Sequence, residues 1–382
     1  MKTNMINKNR LAVNIFFGAN GFLFANYIAR LPEIQASHAL DNGAIGLVLL
    51  ASALGALIAM PLSGWLITNN GSKRITVIAG LLLCLSIPLI GFVPNGAILG
   101  MLFFLIGFAT GTLDIAMNAQ AVMVEKAIKK PIMTSFHALF SAGMMVGAGS
   151  SALFTRFEIS LTYHLITVSV FSLAWVIWGI LHLINDEGQK LARKGKAFRL
   201  PEASLLVIGL IAFCCMLGEG AMANWSTNYM LNIADAGPSF APMGLLAFSS
   251  AMMIARFGGD FVRNRLGDQK LLSLNSIIAA IGLGLVLLIP IPWVVFLGLL
   301  LVGLGLSAIV PIAYSTAGNA PGLSPGEGIS MVATIGYAGF LLGPPIIGFL
   351  ADWQSLRFAL LFTLLLFVLM TMLSFRLKYR NA

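Results

Sequence analysis

The sequence predicts an all-α membrane protein of twelve transmembrane helices, arranged as two pseudo-symmetric six-helix bundles. Composition is the first reason. Of 382 residues, 58% are hydrophobic and only 10% are charged, where a soluble domain carries about a quarter charged. The mean hydropathy of +0.92 says the same. The second reason is spacing: apolar runs long enough to cross a bilayer, roughly 20 residues, recur along the whole chain. The third is internal: residues of the second half echo the first at one offset, 196.

The runs place spans near 11–33, 44–68, 75–93, 97–122, 132–154, 162–184, 204–231, 242–262, 271–290, 292–317, 328–350 and 356–377. Lys2, Lys8 and Arg10 precede the first run as they would in a signal peptide. That run is too long for one, however, and Asn14, Asn20 and Asn26 interrupt it, so it reads as a retained helix. Pro94-Asn95-Gly96 and Pro290-Ile291-Pro292 supply tight turns where spans three and four, and nine and ten, adjoin.

The net charge of +9 could suggest nucleic acid, but the basic residues fall in short gaps between apolar runs and form no basic face. With the N-terminus in the cytoplasm, alternate loops collect Lys2, Lys8, Arg10; Lys73, Arg74; Lys126, Lys129, Lys130; Lys190, Arg193, Lys194, Lys196, Arg199; Arg263, Arg265, Lys270; and Arg376, Lys378, Arg380. The opposite side keeps Arg30, Arg156 and Arg357, and no lysine. This bias predicts an inner-membrane protein with both termini cytoplasmic and an even number of spans. The longest polar stretch, 185–203, reads as a cytoplasmic linker between bundles 1–184 and 204–382. Cys84, Cys214 and Cys215 lie in apolar runs without metal-ligand spacing, and read as core or lipid-facing residues.

The repeat is specific. Ala142-Gly143-Met144-Met145-Val146-Gly147 matches Ala338-Gly339-Phe340-Leu341-Leu342-Gly343, Gly107 matches Gly303, and Gly71 matches Gly267. Small residues four apart let helix backbones approach closely in lipid. Parallel six-helix repeats are the layout of the major facilitator superfamily, and local motifs resemble it too. Asp260-Phe-Val-Arg263-Asn264-Arg265-Leu-Gly267-Asp-Gln-Lys270 is similar to the superfamily's loop signature G-x-x-x-D-R-x-G-x-x-K, with Asn264 for the aspartate and Asp260 for the leading glycine. Gly64-Trp-Leu-Ile-Thr68-Asn69-Asn70-Gly71-Ser-Lys73-Arg74 is the first-half copy, with Thr68 and Asn69 for the Asp-Arg. Gly111-Thr-Leu-Asp114-Ile-Ala-Met-Asn118 with Glu125 resembles the span-four signature of the fucose-permease-like branch. Arg30-Leu-Pro32, Ser135-Phe-His137-Ala-Leu-Phe-Ser141-Ala-Gly143 and Gly336-Tyr337-Ala-Gly339-Phe-Leu-Leu-Gly343-Pro344-Pro345 resemble the YbjJ-like bacterial transporters. The fucose-permease pattern has an acid late in span one; Tyr27 and Ile28 stand here. The resemblance implies a solute site near the midplane, alternating access and transport by a monomer.

Candidate chemistry lies in the polar residues of the spans. A charge at the bilayer centre costs about 2.5–3.5 kcal/mol or more, so an intramembrane carboxylate is a functional candidate. Asp114 in span four and Glu219 in span seven qualify. Low dielectric favours a carboxyl's neutral form, which suits an acid that loads and releases protons. His137 is a possible relay; His164 and His182 lie near span ends and read as interfacial. Asn20, Asn26, Tyr27, Asn118, Gln120, Trp225, Asn228 and Tyr337 are candidates for a polar, aromatic solute site, because amides both donate and accept hydrogen bonds. Arg256 reads as the i,i+4 partner of Asp260, with exchange of partners between states as the alternative. Arg30 and Glu33, flanking Pro32, would anchor or gate the outer mouth, and Gly71 and Gly267 would shape the loops.

The expected function is secondary transport of a small polar, sugar-like solute with protons. A proton-driven efflux antiporter for amphipathic compounds is the alternative, although Gly143-Met-Met-Val-Gly147-Ala-Gly149 fits the antiporter signature poorly. A solute receptor of transporter shape also stays open. No H-E-x-x-H, G-x-G-D or G-x-x-x-x-G-K pattern occurs, so neither an enzyme, a metal nor a cofactor is expected.

Overall fold

In lipid the backbone has no water to bond, so an apolar run satisfies its own N–H and C=O groups by forming helix. The computed structural model describes residues 2–128, 132–186, 203–318, 320 and 325–377. Linker residues 187–202 lie outside the described residues, as do Lys129, Lys130, Lys190, Arg193, Lys194, Lys196, Arg199, Lys378 and Arg380 of the charge pattern.

The chain divides into two compact units, Met1–Gly195 and Lys196–Ala382. The first contains α1 (Lys2–Ile28), a short α2 (Leu31–Ser37), α3 (Asn42–Asn70), α4 (Ser72–Ser86), α5 (Gly96–Ile128), α6 (Met133–Arg156) and α7 (Leu161–Ile180). The second contains α8 (Ala203–Asn232), α9 (Met243–Leu266), α10 (Asp268–Leu288), α11 (Pro292–Leu306), α12 (Ile309–Gly318), α13 (Pro325–Trp353) and α14 (Leu356–Arg376). Among the described residues eleven segments are long and apolar enough to cross a membrane, counting α11 and α12 as one. The twelfth span is α9, apolar only over Met243–Gly259, because Arg256, Gly258, Gly259 and Asp260 dilute its second half.

Three expected spans are broken, each at a proline. Span one ends at Ile28, and Pro32 in the first turn of α2 starts a separate helix, since its missing N–H is no loss there. Span three finishes in a tighter 3-10 turn, Ile87–Phe92, begun by Pro88. Span ten divides into α11 and α12 because Pro311 cannot donate to the carbonyl of Ser307 four residues earlier.

The repeat seen in sequence returns as packing. In the first unit α1 packs on α6 and α7, α3 on α5, and α4 on α7. In the second, α8 packs on α13 and α14, α9 on α11, and α10 on α14. The matched glycines do matched work. A Cβ on Gly107 would collide with the Ser52 carbonyl, and one on Gly303 with that of Phe248, the residue 196 positions later. Gly71 and Gly267 both turn the chain with positive φ, 82° and 75°, a conformation glycine adopts without strain.

Candidate functional site

In the first unit, α1, α6 and α7 share a buried polar chain. Asn26 Nδ2 donates to the Phe22 carbonyl at 2.8 Å. Its Oδ1 lies 2.8 Å from Ser150 Oγ and 2.7 Å from His164 Nε2. The other ring nitrogen of His164 lies 3.3 Å from Arg30 Nη1. A guanidinium only donates, so Nδ1 accepts and the proton of a neutral ring sits on Nε2. Arg30 also donates to the Ile159 carbonyl at 3.1 Å and to Glu33 Oε2 at 2.6 Å. Asp114 stands apart on α5, where Asn118, one turn on, donates to its Oδ1 at 3.1 Å and to its carbonyl at 2.8 Å.

The end of this unit that carries Lys73 and Arg74 holds a second network. The N-cap residue of α4, Gly71, has no side chain with which to cap it. Asp186, just past α7, does so instead: it accepts from Ser72 N at 2.6 Å, Ser72 Oγ at 2.7 Å and Lys73 N at 3.0 Å. Partial burial pushes its carboxyl up, but these bonds outweigh that and hold it below its ordinary value. Gln120 braces the same corner. Its Nε2 donates to Ser72 Oγ and to the Ile184 carbonyl, and its Oε1 accepts from Ile184 N.

In the second unit, Glu219 on α8 faces Arg256 on α9. Their closest atoms are 3.5 Å apart, with the two side chains 15% and 18% exposed. Cys215, one turn before Glu219, points its thiol at the same carboxylate oxygen, 3.7 Å away. Further along α8, Trp225 is fully buried and its Nε1 has no hydrogen-bond partner among the described residues. Asn228 Oδ1 accepts from Asn232 at 2.5 Å. Near the far end of α9, Arg263 forks onto both carboxylate oxygens of Asp268 at 2.6 and 2.8 Å and donates to Ser315 Oγ at 2.8 Å.

A repeated set of apolar helices with acids inside two of the spans has known relatives. The family model described as Major Facilitator Superfamily matches residues 13–324. The chain belongs to that superfamily. An uncharacterized MFS-type transporter of Yersinia pestis is 35% identical over 351 residues, 92% of this chain and 91% of the relative. The membrane protein MosC of Rhizobium meliloti is 30% identical over 357 residues, 92% of this chain and 86% of MosC. Among solved structures, the nucleoside transporter NupG superposes with a TM-score of 0.76 at 13% identity, covering 98% of this chain and 100% of that one. A bacterial homologue of the lysosomal transporter Spinster gives 0.72 at 14%, covering 98% and 96%. At such identity these two speak for the fold alone. The chain is a multi-pass membrane transporter of this superfamily.

Several expectations for this superfamily member change with the geometry. The expected pairing of Arg256 with Asp260 falls on a side chain outside the described residues; Glu219 is a partner of Arg256 that the sequence did not announce. His164, near the start of α7, is completely buried within the first unit. Gln120 braces a corner of helices, and Asn26 is held by His164, Ser150 and Phe22. The cysteines are all buried, so none is lipid-facing. His137 is exposed and sets its ring edge-on to Phe17. Tyr27 is buried against Phe24 and Phe103, and Tyr337 lies near Phe340. Glu125 accepts from Ile132 N at the start of α6. Asn20 is buried with Oδ1 unpartnered among the described residues. Asp186, His164 and Cys215 were missed. A glycine at the N-cap of α4, with no capping side chain of its own, was the one signal that a distant group must serve there.

Proposed function

We propose that this transporter moves a small polar, sugar-like solute by alternating access in symport with protons, acting as a monomer in the bacterial inner membrane with both termini in the cytoplasm. The observation that carries the proposal is Asp114. It is a carboxylate within an apolar helix, and among the described residues its side-chain partner is a neutral amide, Asn118, rather than a cation. Such an acid takes up a proton without stranding a buried arginine, and gives it up when water reaches it. Glu219 is the second candidate: at 3.5 Å its contact with Arg256 is at the loose end of an ion pair, and protonation would release the guanidinium. Asn20 Oδ1 and Trp225 Nε1, buried and unspent, are an acceptor and a donor suited to hydroxyl groups, since an unpaired buried polar atom costs about 1–3 kcal/mol.

The test has two steps. A thermal-shift screen of sugars and polyols on purified protein finds the solute, because ligands stabilise the state they bind. Uptake of that solute into proteoliposomes is then measured with and without a protonophore. The expected result is accumulation that collapses with the protonophore. Accumulation that survives it removes proton symport. Proton-driven extrusion of amphipathic compounds in the same vesicles would favour the antiporter instead.

A further inference from the structure

At the Asp186 corner lies a cavity of about 490 Å³ lined by Asn70, Lys73, Arg74, Val77, Ile78, Asn185 and Asp186. Its lining is graded along α4. Lys73 and Arg74 occupy the first turn, and Val77 and Ile78 lie four residues on from each, so the apolar pair sits one turn deeper on the same face. Ile78 is 52% exposed, on a helix apolar enough to cross the membrane, so its surroundings there are acyl chains. The cavity thus offers two cations at the level of the headgroups and an apolar wall directly beneath them. Asp186 shares this lining, so the two cations leave a net positive charge of one, and neither of their side chains is tied to it. Its oxygens are turned onto Ser72 N, Ser72 Oγ and Lys73 N, and among the described residues neither Lys73 nor Arg74 forms an ion pair. Asn70 and Asn185 add amide groups for glycerol or phosphate oxygens. A volume of this size holds a headgroup rather than a lone ion.

We propose that this cavity is a binding site for one anionic phospholipid, its phosphate held by Lys73 and Arg74 and its acyl chain lying along Val77 and Ile78. Basic pockets between spans are suited to such headgroups, each Lys or Arg near the surface attracting anionic lipid. The site is held in shape by the Asp186 clasp on the α4 N-terminus and does not depend on how the solute is coupled.

The test uses the full chain purified in a neutral detergent. Its melting temperature is followed during titration with phosphatidylglycerol, phosphatidylcholine or inorganic phosphate, and native mass spectrometry counts retained lipid. The expected result is a rise with phosphatidylglycerol that phosphatidylcholine and phosphate do not match. The K73Q/R74Q variant should need roughly tenfold or more lipid for the same rise. K73R/R74K, which keeps both charges, should respond as wild type, and so should R265Q/K270Q, which removes as much charge from the matching turn of the second unit. Several results would overturn the site: an undiminished response in K73Q/R74Q, an equal loss in R265Q/K270Q, an equal rise with phosphatidylcholine, or a phosphate effect to which lipid adds nothing. If K73Q/R74Q melts early without lipid, the count of phosphatidylglycerol retained by K73R/R74K and R265Q/K270Q, against wild type, decides in its place.

Discussion

The two intramembrane acids sit in matched bundles and in opposite company. Asp114 has an amide partner one turn along its own helix; Glu219 faces an arginine from a neighbouring helix and a thiol from its own. The difference separates two jobs. An acid beside an amide can change charge with little disturbance to its neighbours, which suits a proton carrier. An acid beside a guanidinium ties two helices together, so any change in its charge alters how α8 and α9 are joined. The ends of the bundles differ in the same way. In the second unit Asp268, at the start of α10, is gripped by Arg263 of α9, whereas in the first the acid comes from Asp186, more than a hundred residues away.

The contrast can be broken by substitution, beginning with the largest effect. Asp114→Asn should reduce proton-driven accumulation to the level of empty vesicles while leaving solute exchange measurable, and Glu219→Gln should spare more of it. Equal losses in the two would erase the distinction. Next, Arg256→Gln should lower stability by about 3–5 kcal/mol, the cost of stranding one member of a buried pair. The E219Q/R256Q double variant should recover part of that loss in thermal unfolding. Gly107→Ala and Gly303→Ala should each cost about 1–3 kcal/mol, as overpacking does, because the new Cβ meets backbone. Gly100→Ala, which meets nothing within 4 Å, should be neutral in the same assay.

The smallest effect concerns the clasp. Asp186→Asn should cost about 1 kcal/mol, the typical worth of an N-cap, and should raise protease cleavage near the α7 end. The folded-state carboxyl of Asp186 is held below its unfolded value. Its contribution is therefore complete above an unfolded aspartate's pKa of about 3.9 and fades as pH falls below that. Wild type and D186N should converge in stability under acid and separate again at neutral pH. A constant gap across that range would show that the bonds to Ser72 and Lys73 do not depend on the charge.

How much was legible follows from how far apart the interacting residues are. Spans, turns and the repeat rest on hydropathy and on glycines at local spacing, so Gly107 and Gly303 could be paired before any fold was known. The boundaries that slipped are those where a proline acts on a backbone carbonyl four residues back, as Pro311 does on Ser307. Partner choice was not legible. Glu219, 37 positions from Arg256 in the chain, stands across from its guanidinium, and no local spacing announces that meeting. His164 looked peripheral because it opens a span, and only the packing of α1 against α7 buries it beside Asn26.

Taken alone, the amino-acid order determined the bilayer-crossing helices, their twofold repetition and the superfamily, because each depends on burying apolar side chains and satisfying a backbone within one segment. Only the tertiary structure decided which polar groups meet: Arg256 with Glu219, Arg30 with His164, Asp186 with the start of α4. Those meetings depend on how each helix is rotated and shifted against its neighbours. That rotation is set by the close packing of many side chains at once, and no local stretch of sequence encodes it.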